Sequence, residues 1–487
     1  MPSRYSSGVN FPFVHLTAAL ALALAVGLPA AARASSAVAT VHADFVDTMM
    51  PPLTSPRTSS LSVTRQDAIV AAAAPAAFVA FLDEVSNARY ANVSHAAGLS
   101  ESAFDDMRHY LRNRYDGVTV VRSFAEQGTF YDCIPTGQQP ALRDGSGIAA
   151  PPASSPIATH APSTASTAAS TCPAGSIPLE RVGLDQLTRF PSLKAFFARS
   201  PTPGAHRQAS RFATADASST HHYASMFASM GGAEIAGAGA DLNIWNPAFV
   251  TSNDYMSISQ IWLDGASSSN QTQTLEVGWQ RRPSYGTWGN QSILFVYSTQ
   301  DGYVSTGCHN LECGEFVQVA SGNVFGVSFA SSRYSSTNGA QGVVKVAYQR
   351  NADGNWWLNV DGTWVGYYKA ALYSGDLATT STNTAFTAGG ETYANGGGAS
   401  TPMGSGVFAA NGYRKAAFQA NHFYIDSALA SHAVTQLSSV VVSDPACYTI
   451  AFAGQRYGGV VPGASTIAPS PEMTTGEGFY FGGPGCH

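Results

Sequence analysis

The chain has 487 residues, room for an export signal and two or more folded units, and a formal net charge of −6. Only 11% of it is Asp, Glu, Lys or Arg, about half the share of an average soluble protein. From residue 221 onward 16 acidic side chains face 9 basic ones, a net of −7, and the part before holds 15 against 16, a net of +1. With no basic stripe, nucleic acid is argued against as a partner.

The first 34 residues read as a secretory signal. Arg4 supplies the positive start, Phe13–Leu28 the apolar middle, and Ala32-Arg33-Ala34 an A-x-A cleavage site. No later run has about 20 uninterrupted apolar residues, so the mature protein is expected to be soluble, free of the membrane, and secreted (extracellular or periplasmic). Residues 35 to about 60 are rich in Ala, Ser, Thr and Pro and read as disordered. Phe78, Phe81, Leu82 and Val85 recur at helical spacing over Ala76–Val85. A second helix is signalled by Ser102 with Asp105 as a capping pair, a Phe104/Met107/Leu111 stripe, and Gly117 as the stop. Val118–Phe124 and Gly128–Cys133 are strand candidates, so residues 35–133 read as a small α+β unit. Residues 145–170 form an Ala/Ser/Thr/Pro linker. Arg199–Arg211 reads as a second polar stretch, with Arg207 and Arg211 placed for proteolytic nicking.

From His221 the composition changes. All seven tryptophans lie between Trp245 and Trp364. Short apolar or alternating runs appear at Asp241–Trp245, Ser257–Leu263, Thr272–Gln280, Ser292–Ser298, Glu315–Val319, Val324–Phe329, Gly342–Arg350, Asn355–Val360, Thr363–Tyr368 and Ala416–Ile425, punctuated by Asp-Gly and Asn-Gly turns. Such a pattern without an intervening helix predicts an all-β domain, a large antiparallel β-sandwich of two curved sheets. His221-His222 at its start reads as a solvated pair. Six cysteines in an exported chain predict disulfides, and their positions suggest Cys133–Cys172, Cys308–Cys313 and Cys447–Cys486. Zinc is disfavoured, because CHNLEC has no second ligand pair nearby and there is no H-E-x-x-H. No metal or other cofactor is expected.

Two carboxylates stand out in this weakly charged domain. Glu276 lies in TLEVGWQ and Glu391 in TAGGET, each in an apolar or glycine-rich setting. Burying an unpaired carboxylate is costly and raises its pKa, and paired carboxylates with diverging pKa values are a recurrent acid–base device. Alternation places Leu275, Val277 and Trp279 on one face and Glu276 and Gln280 on the other, and the next run offers Gln260 with Trp262. The apolar set should face the core, leaving Glu276 on the opposite face, in a groove or simply outward.

Several words in order resemble the neprosin family of glutamic peptidases: LNIWNP (242–247), SISQIWL (257–263), TLEVGWQ, YSTQDGYVSTGCHNLECGEFVQ (297–318), NWWL (355–358), VGYY (365–368), GGE (389–391) and MGSG (403–406). Upstream, FYDCIPTGQQPAL (130–142) and CPAGSIPLERV (172–182) resemble the family's activation propeptide. The resemblance implies a signal at 1–34, a propeptide region over 35–211, and a β-sandwich peptidase over 212–487 with Glu276 and Glu391 as the catalytic pair. It further implies an acid-active endopeptidase made as an inactive precursor, with the cut after proline that founding plant members make. Where the family has aromatic-Trp-Pro after its G-Y word, this chain has Tyr367-Tyr368-Lys369, a departure that bears on the proline preference.

In the implied chemistry one glutamate takes a proton from water while the other, protonated, donates to the carbonyl oxygen. Glu391 is favoured as the base, because the glycines before it leave room for water. Gln260 and Gln280 are candidate oxyanion donors; Tyr297, Tyr303 and Trp357 are candidates for positioning, for pocket walls, or for packing. Expected partners are protein or peptide substrates and the chain's own propeptide as an intramolecular inhibitor, on a monomer. Histidines of that propeptide, His95 and His109 among them, offer a pH response. A non-catalytic carbohydrate-binding sandwich and a carboxylate-pair glycoside hydrolase are the alternative classes.

Overall fold

The computed structural model describes residues 75–126, 128–158, 171–199, 221–249, 254–283, 285, 291–322, 325–394, 400–454 and 466–486. The expected signal, the stretch after it, part of the expected linker, and Arg207 and Arg211 lie outside them. Among the described residues no helix is long and apolar enough to cross a membrane.

The N-terminal part is the expected α+β unit, with shifted boundaries. Helix α1 spans Ala76–Asn87 and α2 spans Glu101–Tyr115. Ser100, rather than Ser102, caps α2: its Oγ accepts from Ala103 N at 3.1 Å. A three-stranded sheet follows, β1 (Arg122–Glu126), β2 (Thr129–Pro135) and β3 (Ser176–Glu180), then the short helices α3 (Leu184–Leu187) and α4 (Leu193–Phe197). Arg181 and Asp132 pair inside this unit at full burial of the carboxylate, beneath Phe78, Phe81 and Phe130.

The rest is a sandwich of two large sheets without barrel closure. One has ten strands: β5 (Ile235–Asn243), β10 (Phe316–Gln318), β11 (Val343–Arg350), β12 (Trp356–Val360), β13 (Thr363–Tyr368), β15 (Ala417–Asp426), β16 (Ser431–Ala433), β18 (Thr449–Ala453), β19 (Thr466–Ile467) and β20 (Gly478–Gly482). The other has seven, in the order β17 (Leu437–Val442), β4 (His221–Ala228), β14 (Ala385–Ala394), β6 (Asp254–Ala266), β7 (Thr272–Arg281), β8 (Ile293–Thr299) and β9 (Cys308–His309). All pairings are antiparallel except the two-residue β18–β19 match. Of the run Val324–Phe329, residues 325–329 contribute only an isolated bridge, Ile293 to Ser328, instead of a strand, and Val324 lies outside the described residues.

Leu275, Val277, Trp279, Ile261 and Ala388 fill the space between the sheets with Leu242, Val346, Tyr348 and Phe481, and Trp279 Nε1 reaches Asn243 O of the opposite sheet at 2.9 Å. The outer face of the seven-stranded sheet is not solvent-facing. Ile258, Phe295 and Tyr297 of that face pack with Met107, Leu111, Leu187, Phe196 and Phe197 of the N-terminal unit in one apolar cluster. Buried Arg114 of α2 donates to Leu311 O (2.8 Å) and Glu312 O (2.9 Å), locking the helix onto the disulfide loop. Disulfides join Cys133–Cys172, Cys308–Cys313 and Cys447–Cys486.

Candidate active site

Strand register brings the two glutamates to one face. β6 runs between β7 and β14, so Trp262 lies opposite Glu276, Gln260 between Gly278 and Gly389, and Ile258 between Gln280 and Glu391. With a period of two, all of these project from the face covered by the N-terminal unit. The glycines flanking Gln260 keep the ground between the carboxylates open. A Cβ at Gly278 would stand 2.6 Å from Gln260 Cα, and one at Gly389 2.5 Å from Ser225 Cα, so neither position admits a side chain.

Both carboxylates are fully buried and converge on Arg199, two residues beyond α4. Arg199 Nη2 lies 3.1 Å from Glu276 Oε2 as an ion pair and donates to Glu391 Oε2. One nitrogen touches both, so the two carboxylate oxygens are no farther apart than those contacts laid end to end. Arg199 was expected in a polar, nickable stretch; it is only 3% exposed, because two anions meet its charge. Its guanidinium lies 5.8 Å from the Trp262 ring centre and 5.6 Å from that of Tyr303.

Each glutamate has further partners. Glu276 Oε1 accepts from Thr274 Oγ1 at 2.9 Å and from Tyr303 OH at 2.7 Å. Tyr303 sits at φ +65°, uncommon for an aromatic residue. Thr299 Oγ1 accepts from its backbone N–H (2.9 Å), and Asp301 accepts from the amides of Val304, Ser305 and Thr306. Glu391 Oε2 accepts from Gln260 Nε2 at 3.1 Å, and its Oε1 lies 2.7 Å from His221 Nδ1. His221 and His222 are therefore not a solvated pair: both are buried, His222 Nδ1 lying 2.5 Å from Asp444 Oδ2.

Burial raises the Glu276 carboxyl above its ordinary range, and the neighbouring Glu391 adds to this, against the lowering by Arg199, Tyr303 and Thr274. Burial pulls Arg199 down, but Glu276 and Glu391 together lift it well above the ordinary value, so it stays charged. Burial and then the Arg199 charge hold His221 well below the ordinary imidazole value. It is neutral, and its Nδ1–H is the donor to Glu391.

The other sequence candidates divide. Gln260 and Tyr303 touch the carboxylates. Tyr297 lies opposite Glu276 in the register and stacks on Tyr303 at 6.0 Å. Gln280 turns its amide to Met256 Sδ at 3.5 Å, away from both carboxylates. Trp357 is in the other sheet, packed on Ala141, Leu142, Val317 and Tyr367; its contacts are core contacts. His95 and His109 of the N-terminal unit are exposed, while His221 is the histidine at the site. Arg199 and His221 enter the site only through the fold, while Thr274 and Trp262 lie on the face that alternation assigns to Glu276 and Gln260. Cys308, Cys313 and Glu315 cluster closely, but both sulfurs are spent in a disulfide and offer no thiolate to a metal.

Among solved structures, this chain is similar to scytalido-glutamic peptidase with a peptide-based transition-state analogue. The identity is 10%, covering 55% of this chain and 99% of that one, with a TM-score of 0.25. It is also similar to SCP-B, a member of the Eqolisin family of peptidases, in complex with the tripeptide Ala-Ile-His: 10% identity, 47% of this chain, 90% of that one, TM-score 0.25. Residues 253–484, a stretch that contains both Glu276 and Glu391, match the Neprosin family model.

Proposed function

We propose that this chain is the precursor of an exported, acid-active glutamic endopeptidase in which Glu276 and Glu391 activate one water molecule. The observation that carries this reading is the meeting of two buried carboxylates on a single guanidinium nitrogen, in the place where a water held between them would stand. The match to the Neprosin family model supports a glutamic peptidase, and three disulfides accord with an oxidising compartment.

With Arg199 gone, Glu276 loses the largest influence that lowers its pKa and becomes the protonated member of the pair; like charges nearby enforce the split. Glu391, supported by His221 and Gln260, stays ionised and is the base. Glu391 takes a proton from water, whose oxygen bonds the peptide carbon. Glu276 gives its proton to the carbonyl oxygen, and Gln260 Nε2 donates to that oxygen. The C–N bond then breaks as Glu391 passes its proton to the leaving nitrogen and one hydroxyl of the gem-diol returns its proton to Glu276, leaving a carboxylic acid and an amine. A preference for proline before the cut belongs to this reading as a family expectation.

Residues 1–34 act as the export signal, 35–211 as the inhibitory propeptide, and 212–487 as the peptidase. The N-terminal unit covers the sheet face that carries the dyad, and Arg199 seals it. Purified precursor held at pH 4 and pH 7 with a denatured protein substrate tests the proposal. Cleavage is expected at pH 4 after loss of the N-terminal segment. Glu276→Gln and Glu391→Gln each lower the rate by about a thousandfold or more. Undiminished cleavage by both variants removes the dyad. Hydrolysis of a glycan by the wild type, with no peptide cleaved, favours the glycoside hydrolase class instead.

A further inference from the structure

The guanidinium of Arg199 is held by the sandwich. Its head group meets Glu276, Glu391, Trp262 and Tyr303, all residues of the sandwich. The seat is rigid, since Trp262, Glu276 and Glu391 stand on paired strands and Tyr303 OH is bonded to Glu276 at 2.7 Å. Arg199 Nε, by contrast, is buried with no hydrogen-bond partner. The seat therefore reads the terminal nitrogens and the flat face of the cation, not the whole side chain.

The chain leading to Arg199 is also gripped from the sandwich. Ala198 O accepts from Arg282 Nη2 at 3.2 Å, and Phe196 O from Tyr285 OH at 2.5 Å. The Phe196 ring stacks on Tyr285 at 5.1 Å with 15° between planes. The segment 196–199 is thus bound through two carbonyls, one aromatic ring and one cation, by groups that stay behind when it leaves.

We propose that the sandwich carries a guanidinium-binding seat, made by Glu276, Glu391, Trp262 and Tyr303, that accepts free alkylguanidinium ions and the arginine side chains of peptides when Arg199 is absent. A planar cation satisfies the seat because it pairs edge-on with both carboxylates while lying over an aromatic ring; a compact ammonium pairs with the carboxylates and loses the ring contact. Binding rests on this geometry alone. Its consequence, that arginine-bearing peptides such as the released segment 193–199 inhibit the mature enzyme, rests on the peptidase reading.

The test uses the full-length precursor carrying Arg199→Ala, with methylguanidinium as the probe and methylammonium as the control, both at millimolar concentration and pH 7. Methylguanidinium is expected to raise the melting temperature saturably, by about 3 °C at ten times its Kd, and methylammonium by less than a third of that. The rise should vanish in Arg199→Ala/Glu276→Gln/Glu391→Gln and in the wild type, whose seat is filled. Equal rises with both cations, or a rise that survives the triple substitution, overturn the proposal. Should Arg199→Ala fail to fold, Arg199→Gln keeps the side-chain stem and takes its place. A second measurement adds the peptide LKAFFAR to acid-activated enzyme, expecting at least tenfold stronger inhibition than by the same peptide ending in citrulline. Methylguanidinium binding in a protein that cleaves no peptide would leave the seat standing and remove the peptidase reading. Cleavage without binding would do the reverse.

Discussion

Two buried arginines in this chain meet carboxylates in opposite ways. Arg181 pairs one-to-one with Asp132: Nε donates to Oδ2 at 2.9 Å, Nη2 bonds Oδ1, and Ser123 and Tyr115 supply further hydrogen bonds. All of these residues lie in the N-terminal unit. Arg199 instead faces two carboxylates from β7 and β14, keeps Nε without a hydrogen-bond partner, and bonds Glu391 from 192 positions away in the sequence. A matched pair is a structural solution to burying charge. One cation shared by two anions is not, since its removal leaves two carboxylates competing for a proton. That imbalance is the feature on which the proposed function rests.

The largest stability effect should fall on the matched pair. Arg181→Ala leaves Asp132 buried without its cation and is expected to cost about 3–5 kcal/mol in urea unfolding at pH 7. Arg199→Ala should cost less, because the dyad can relieve itself by taking up a proton. Its cost should also depend on pH with a definite sign. Without the cation the dyad holds a proton that the unfolded chain releases above its ordinary carboxyl pKa, so stability should fall as pH rises from about 4.5. Equal, pH-independent costs for the two substitutions would erase the distinction.

Trp357→Ala sharpens the contrast from the other sheet. Its fully buried ring should cost about 3–5 kcal/mol when truncated, with kcat/KM per folded molecule unchanged. A rate loss matching that of a Tyr303 substitution would place it at the site. Tyr303→Phe should lower kcat/KM by about tenfold to a hundredfold, since it removes one hydrogen bond to a carboxylate, with little effect on unfolding.

The smallest expected effect concerns His221. Its folded pKa is depressed by burial and by Arg199. As pH falls below about 6.5 the unfolded chain binds a proton that the folded one refuses, so the full-length chain loses stability by up to about 1.4 kcal/mol per pH unit. His221→Gln retains a donor for Glu391 and should flatten this slope between pH 6.5 and 5, read by urea midpoints across that range. An unchanged slope would shift the acid response to other groups, such as buried His309, held low by burial and by Arg282.

Much of this was legible in the sequence. Strict alternation in Thr274–Gln280 put Glu276 on the face opposite Trp279, and the same parity gave Gln260. The strand carrying Glu391 escapes alternation, because Gly389 and Gly390 interrupt it; its glycine-rich setting and the family word single that glutamate out. Arg199 and His221 were read as polar surface, since an arginine or histidine shows its neighbours only after the chain has folded. Their partners lie 192 and 170 residues away, beyond any local pattern. Gln280 met the same parity rule as Glu276, yet four residues along the strand its amide meets a methionine sulfur. Parity selects a face; position along the strand selects the neighbours.

The most direct measurement is the rate of peptide cleavage at pH 4 by the unprocessed Arg199→Ala precursor, alone and combined with Glu276→Gln or Glu391→Gln. Activity ahead of processing in the single variant, lost in both combinations, is the predicted result. Activity in Arg199→Ala that persists at the same rate in both combinations would contradict the role given to these two glutamates.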